Sequence, residues 1–169
     1  MKIEIRHRFN NSVIFSHDAD ENSIKITLMM ARKAGANLRS CDLSGYDLSG
    51  CNLRGYDLRR VNMCGCELSG CYLRGCDLRG AKLHGAKLDG KKLIGERPYF
   101  YIGPIGSRSD DLQVFITDQG VQLKAACFSG SIEEFELELD AEHGSNKHGE
   151  EYRAALVLIR KHAELWLPT

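Results

Sequence analysis

The sequence predicts a mainly β chain organised around a solenoid, on three observations. Residues 36–95 divide into twelve five-residue units with no insertion. The third residue of every unit is Leu, or Met at Met63. The fifth is almost always Gly. An exact period of five belongs neither to a helix, which repeats every 3.6 residues, nor to a strand, which repeats every two. Positions one and three of a unit lie on the same side of the pleat, so that side is the expected core. A Gly in each unit permits a turn with unusual backbone angles. A chain that bends every five residues and always buries the same side must coil. Successive coils then pair as short parallel strands about 4.8 Å apart.

Before the repeats, Lys2 to Phe9 alternates apolar and polar residues as a half-buried strand does. Asn10-Asn11-Ser12 is a turn signal, and Val13 to Ser16 reads as the return strand. Ser23 is placed to cap a helix over Ile24 to Ala34, in which Ile24, Leu28 and Ala31 share one face, and Gly35 ends it. Residues 1–35 are expected to cover the first coil, because an open Leu ladder beside an unpaired strand edge aggregates.

Within the repeats the first position is small: Ala36, Cys41, Cys51, Val61, Cys66, Cys71, Cys76, Ala81 and Ala86. The second is Asn or Asp in the first half, and the fourth is polar and faces outward, so Ser69→Ala is expected to be near neutral. Such A(D/N)LxG-like units resemble the signature of the pentapeptide repeat proteins. The resemblance implies a right-handed, quadrilateral β-helix with four units per coil, so that twelve units make about three coils. Departures are Tyr46 and Tyr56 at the small position, Tyr72 at the Asn/Asp position, Arg60 at the Gly position, and Lys91, where the last unit starts to leave the coil. The two tyrosines call for a wider first coil or a ring edge at the surface.

After Gly95 the period stops, and residues 96–169 read as an α+β domain of three strands and two helices, expected to cap the last coil as residues 1–35 cap the first. Tyr99–Ile102, Leu112–Thr117 and Val121–Cys127 are the strands, with turns at Gly103–Gly106 and Asp118–Gly120. Ser131 and Glu134 form a capping box opening a helix over Ser131–His143, although the alternation from Phe135 to Asp140 argues for a strand. Lys147–Trp166 is a helix with Tyr152, Ala155, Leu156 and Ile159 on one face. The order of hairpin-helix, repeats and a tail containing IGPIGSR resembles bacterial and prophage pentapeptide proteins.

Lys and Arg number 23 and so do Asp and Glu, so nothing global points to nucleic acid or membrane. No apolar run approaches the roughly 20 residues that span a bilayer, and the interleaved charges of MKIEIRHRF are not those of a signal peptide, so a cytoplasmic protein is expected. Five of the seven cysteines occupy the small inward position, which predicts reduced thiols used as small hydrophobes. Cys64, Cys66, Cys71 and Cys76 lack the CxxC spacing of zinc sites. His143 and His148 flank a polar loop without a matching third ligand, and Gly103-Pro-Ile-Gly-Ser-Arg108 lacks the Lys-Ser/Thr and helix start of a phosphate loop. No Ser-His-Asp or Cys-His arrangement is present. The sequence therefore predicts no catalytic, cofactor or metal site.

At four units per coil, residues twenty apart stack, which places Arg39, Arg59 and Arg79 in one ladder and Arg54 and Arg74 in its neighbour. One reading is solvated pairing with Asp42, Asp57 and Asp77; the other is a basic stripe for an anionic partner. The expected function is that of a non-enzymatic interaction scaffold for a protein partner, as a monomer or weak homodimer, with nucleic acid not expected. The alternative, also carried by the resemblance, is a DNA mimic that modulates a type II topoisomerase such as gyrase. The short rod, with ten Lys/Arg against six Asp/Glu in residues 36–95, counts against it.

Overall fold

The computed structural model describes residues 1–125 and 127–167. They divide into two compact units, Met1–Gly90 and Lys91–Thr169.

In the first unit, β1 (Lys2–His7) and β2 (Val13–Asp18) form an antiparallel hairpin. Its turn passes through Asn11, whose φ of 57° suits a left-handed Asn. Helix α1 (Ile24–Lys33) begins where the Ser23 hydroxyl accepts a hydrogen bond from the Ile26 amide, and it buries Ile24, Thr27, Leu28 and Ala31. Strand β1 also pairs antiparallel with β3 (Cys41–Asp42), His7 opposite Cys41, so the hairpin occupies a backbone edge of the first repeats.

From there the chain winds in a β-helix-like manner. All twelve unit-ending residues have positive φ, from 56° at Ser40 and 60° at Arg60 to 83° at Gly95. The corners are thus fixed by backbone geometry, and Arg60 takes the strained conformation that Gly takes freely. Between corners, parallel bridges join Asp42 to Asn62, Asp47 to Glu67, Asn52 to Tyr72, Asp57 to Asp77, Asn62 to Lys82 and Glu67 to Lys87. Every bridge links second-position residues twenty apart. They are single bridges and not the strands the sequence led us to expect, because a left-handed corner every fifth residue leaves too few extended residues for a longer ladder. Two-residue strands occur at β3, β4 (Lys87–Leu88) and β5 (Lys91–Lys92).

Positions one and three are buried almost throughout. Leu43, Leu48, Leu53, Leu58 and Met63 are fully enclosed, and Cys41, Val61, Cys66 and Ala86 fill the narrower places beside them. The two tyrosines part company. Tyr46 keeps its ring 38 % exposed, whereas Tyr56 is 6 % exposed beneath α1. There its hydroxyl donates to the Leu28 carbonyl at 3.4 Å, and the Arg32 guanidinium lies 4.6 Å from its ring centre. The misfit residue thus becomes the seat of the helix. At position four, half-exposed Ser69 also bonds along the stack: its hydroxyl accepts from the Asp89 amide twenty residues on, at 2.9 Å.

The second unit starts with the twelfth five-residue segment, whose Leu93 makes an antiparallel bridge to Thr117. Its sheet runs β6 (Tyr99–Ile105), β7 (Asp110–Thr117), β8 (Gly120–Ala125), β9 (Phe128–Ser131), all antiparallel neighbours. The sequence reading gave three strands; β9 is a fourth. Its sequence, Phe-Ser-Gly-Ser, has neither alternation nor β-branching, and only pairing with β8 makes it a strand. Strand β6 also runs on through the Gly103-Pro104 turn expected after Ile102, with a register shift between Ile102 and Ile105 and a cis peptide at Pro104. Ala126, within the strand expected to reach Cys127, lies outside the described residues.

The capping box decides the ambiguous segment in favour of α2 (Ile132–Glu142). Ser131 and Glu134 bond each other's backbone amides, and Ile132, Phe135 and Leu139 face the core at helical spacing. Leu137, which a strand would have buried, is 74 % exposed. Helix α3 (Lys147–Trp166), capped by Asn146, buries Ala155, Leu156, Ile159 and Ala163. Ala155, Leu156 and Ile159 join Ile132, Phe135 and Leu139 of α2 in a core with Leu112, Val114 and Leu123 of the sheet.

Leu68→Ala will cost roughly 2–5 kcal/mol, because the fixed pairing on either side prevents collapse onto the gap. Lys82→Ala, exposed on the outside of the repeats, will change stability by less than about 0.5 kcal/mol. Denaturant midpoints check both. A second pair isolates the corners. Gly50→Ala meets no atom within 4 Å at φ of 66°, so its loss of roughly 1–2 kcal/mol will be purely conformational. Arg60→Gly relieves the same strain and will not lower the midpoint.

Candidate interaction surface

Outside the core, the repeats carry a second regular layer. An Asn or Asp at position two accepts a hydrogen bond from the backbone amide of position four. The pairs are Asn37 with Arg39, Asp42 with Ser44, Asp47 with Ser49, Asn52 with Arg54, Asp57 with Arg59, Asn62 with Cys64 and Asp77 with Arg79. This turn-forming bond explains why short amide and carboxylate side chains sit there. The side chain at position four then projects from a braced corner.

The two arginine ladders are differently composed. Arg39, Arg59 and Arg79 are interleaved with two carboxylates. Asp57 takes Arg39 at 2.7 Å and both Nε and Nη2 of Arg59, at 2.8 and 2.7 Å. Asp77 lies 3.4 Å from Arg59 Nε and takes Arg79 at 2.9 and 2.6 Å. The Arg79 guanidinium holds the Asp77 carboxyl below its ordinary range. Of the three aspartates the sequence offered as partners, Asp57 and Asp77 pair with the ladder. Asp42 is engaged instead by Ser44 and the Asn62 amide.

Arg54 and Arg74 stand beside Asn52 and Tyr72 at position two, where the first ladder has Asp57 and Asp77. Neither neighbour carries charge. Tyr72 is 67 % exposed, a large ring displayed where the pattern calls for a small amide. Arg32 of α1 donates to the Arg54 carbonyl, adding a third guanidinium to this side.

A further group went unnoticed in the sequence. Arg8 donates to the Arg60 carbonyl at 2.7 Å, and the Arg8 and Arg60 guanidiniums lie 4.8 and 5.6 Å from the exposed ring of Phe9. The signal was the charged residue in a Gly corner at Arg60, but its partners are 52 residues away in sequence.

The cysteines are free thiols. Cys66 and Cys71 donate to the carbonyls of Leu43 and Leu48, each at 2.8 Å. Burial pushes the thiols of Cys41, Cys66 and Cys76 up to about 12. No group of three metal-binding side chains occurs among the described residues. The rings of His143 and His148 lie 5.9 Å apart, centre to centre, with Tyr152 stacked on His143. The Gly106 amide donates to Glu151 at 2.7 Å, and the Tyr152 ring fills the space where a side chain at Gly106 would be. That segment is a seat for α3, in keeping with its reading as turn chemistry. Among the described residues, no helix is long and apolar enough to cross a membrane.

Residues 34–55 and 57–90 match the family model of the pentapeptide repeats, in eight copies. The repeats of this chain belong to the pentapeptide repeat family. The match omits Tyr56, the residue seated under α1, and ends at Gly90, where the first compact unit also ends. Comparison with curated proteins finds no match, and comparison with solved structures finds none. Pentapeptide repeats are in general non-catalytic, and the family makes this chain a repeat protein.

Thiol burial sets a reactivity order for the pentapeptide repeat protein. Exposed Cys127 will alkylate first in the native state, half-buried Cys64 more slowly, and the other five only on unfolding. Peptide mapping after timed alkylation checks this. The same burial favours protonated thiols in the folded chain. Its contribution is fully present below the ordinary thiol value of 9.0 and is lost as pH rises from there towards about 12, so the melting temperature will fall over that range.

Proposed function

We propose that the pentapeptide repeat protein is a non-enzymatic interaction scaffold that docks an acidic surface of a protein partner on the side carrying Arg54, Tyr72 and Arg74. In this reading residues 36–95 wind as a right-handed, four-sided β-helix of about three coils. Residues 1–35 act as its cap, and residues 96–169 as a distinct α+β domain. The twenty-residue pairing supports four units per coil. The exposed ring of Tyr72 carries the choice of side. Arg39, Arg59 and Arg79 share two carboxylates, whereas Arg54 and Arg74 stand beside the exposed ring of Tyr72. Exposed Tyr and Arg together are the residue types that anchor protein interfaces.

A nucleic-acid partner is disfavoured, because phosphate tracking needs a continuous cationic track and the neighbouring ladder is interrupted by Asp57 and Asp77. Duplex mimicry is disfavoured for the opposite reason: Lys82 and Lys87 replace acids at position two as the winding proceeds.

The test is affinity capture from a cell lysate with the full chain, beside Arg54→Glu/Arg74→Glu and Arg39→Gln/Arg79→Gln. We expect an acidic protein to be retained by the parent and the second variant, lost from the first, and released by salt. Retention indifferent to Arg54→Glu/Arg74→Glu, or a nuclease-sensitive ligand, overturns the reading. Inhibition of gyrase supercoiling by the purified chain would return the mimic to the front.

A further inference from the structure

Helix α3 has one face in the core of its unit and an apolar centre on the other. Val157, Leu158 and Leu165 are 69 %, 55 % and 65 % exposed, on the side away from buried Leu156, Ile159 and Ala163. Along this outer face Lys147, Glu150, Ala154, Val157, Lys161 and Glu164 are all exposed, at successive spacings of 3, 4, 3, 4 and 3. That is the seam spacing of a two-helix coiled coil. Arg153 and Arg160 lie beside the seam and reach Asp140 and Glu136 of α2, Arg153 also touching Glu150.

The order of charges along the seam selects a partner. In a parallel pair of α3 helices, each Lys147, Glu150, Lys161 and Glu164 would face its own copy, four like-charge contacts. In an antiparallel pair, Lys147 faces Glu164 of the second copy, Glu150 faces Lys161, and Ala154 faces Val157. The two-fold axis repeats each contact, giving four opposite-charge layers around an apolar middle, with Leu158 and Leu165 alongside. The local bonds Glu150–Arg153 and Lys161–Glu164 are exposed and cheaply exchanged. We infer that the outer face of α3 is a self-docking surface, on which a second copy of this chain binds through an antiparallel α3 pair.

Sedimentation equilibrium of the full chain over a range of protein concentrations tests it. We expect a concentration-dependent dimer. Glu150→Lys places Lys opposite Lys161 in both halves, and Lys161→Glu places Glu opposite Glu150. Each single change will raise the dimer Kd by roughly tenfold or more. The double variant Glu150→Lys/Lys161→Glu restores opposite charges and will recover the parent Kd, while Val157→Glu abolishes the dimer. Unchanged thermal unfolding of the dilute variants verifies that each is folded. A chain monomeric at every concentration overturns the proposal, as does a dimer that ignores Val157→Glu or one that the double variant does not rescue.

Discussion

A left-handed residue at every fifth place turns the backbone at a fixed interval, and the interval brings residues twenty apart side by side. Everything else in the first unit depends on that return. Leu43, whose amide donates to the Asn62 carbonyl at 2.8 Å, can bury its side chain only because the next pass of the chain lies against it. No five-residue unit has a core of its own, so the repeats gain stability from their neighbours. The corner matters more than the residue that makes it. Ser40 and Arg60 hold the same φ as the glycines around them, and pairing on both sides overrides their preference.

The second constraint is electrostatic and acts on the outside. A carboxylate at position two has two uses, to brace its own corner and to neutralise an arginine. Asp57 and Asp77 do both. Where Asn52 braces the corner instead, the neighbouring arginine gains no countercharge, and where Tyr72 replaces it the corner displays a ring. The repeat thus holds backbone geometry constant while one side interleaves arginines with aspartates and the adjacent side displays a tyrosine ring.

The second unit obeys ordinary globular rules. Its helices are fixed by caps at Ser131 and Asn146 and by one buried face each. What its core does not absorb, the outer face of α3, retains a charge order with antiparallel self-complementarity. The two units therefore carry opposite balances, fourteen Lys/Arg against ten Asp/Glu in residues 1–90 and nine against thirteen in residues 91–169.

The repeat, its inward Leu ladder, the corner positions, the free thiols and the capped helices were legible in the sequence, because each is a local pattern with one physical solution. Period five with Leu at position three buries the same side however the coils are arranged. The arginine columns followed from the period too, once four units were taken per coil. What tertiary structure alone decided is every pairing between distant residues. Tyr56 could be read only as a misfit until α1 lay over it, and Arg60 only as a broken corner until Arg8 and Phe9 reached it from the hairpin. Strand β9 exists through its hydrogen bonds to β8, not through its residues. Which aspartate neutralises which arginine depends on distances of a few ångströms across the coil, and a one-dimensional pattern does not contain them.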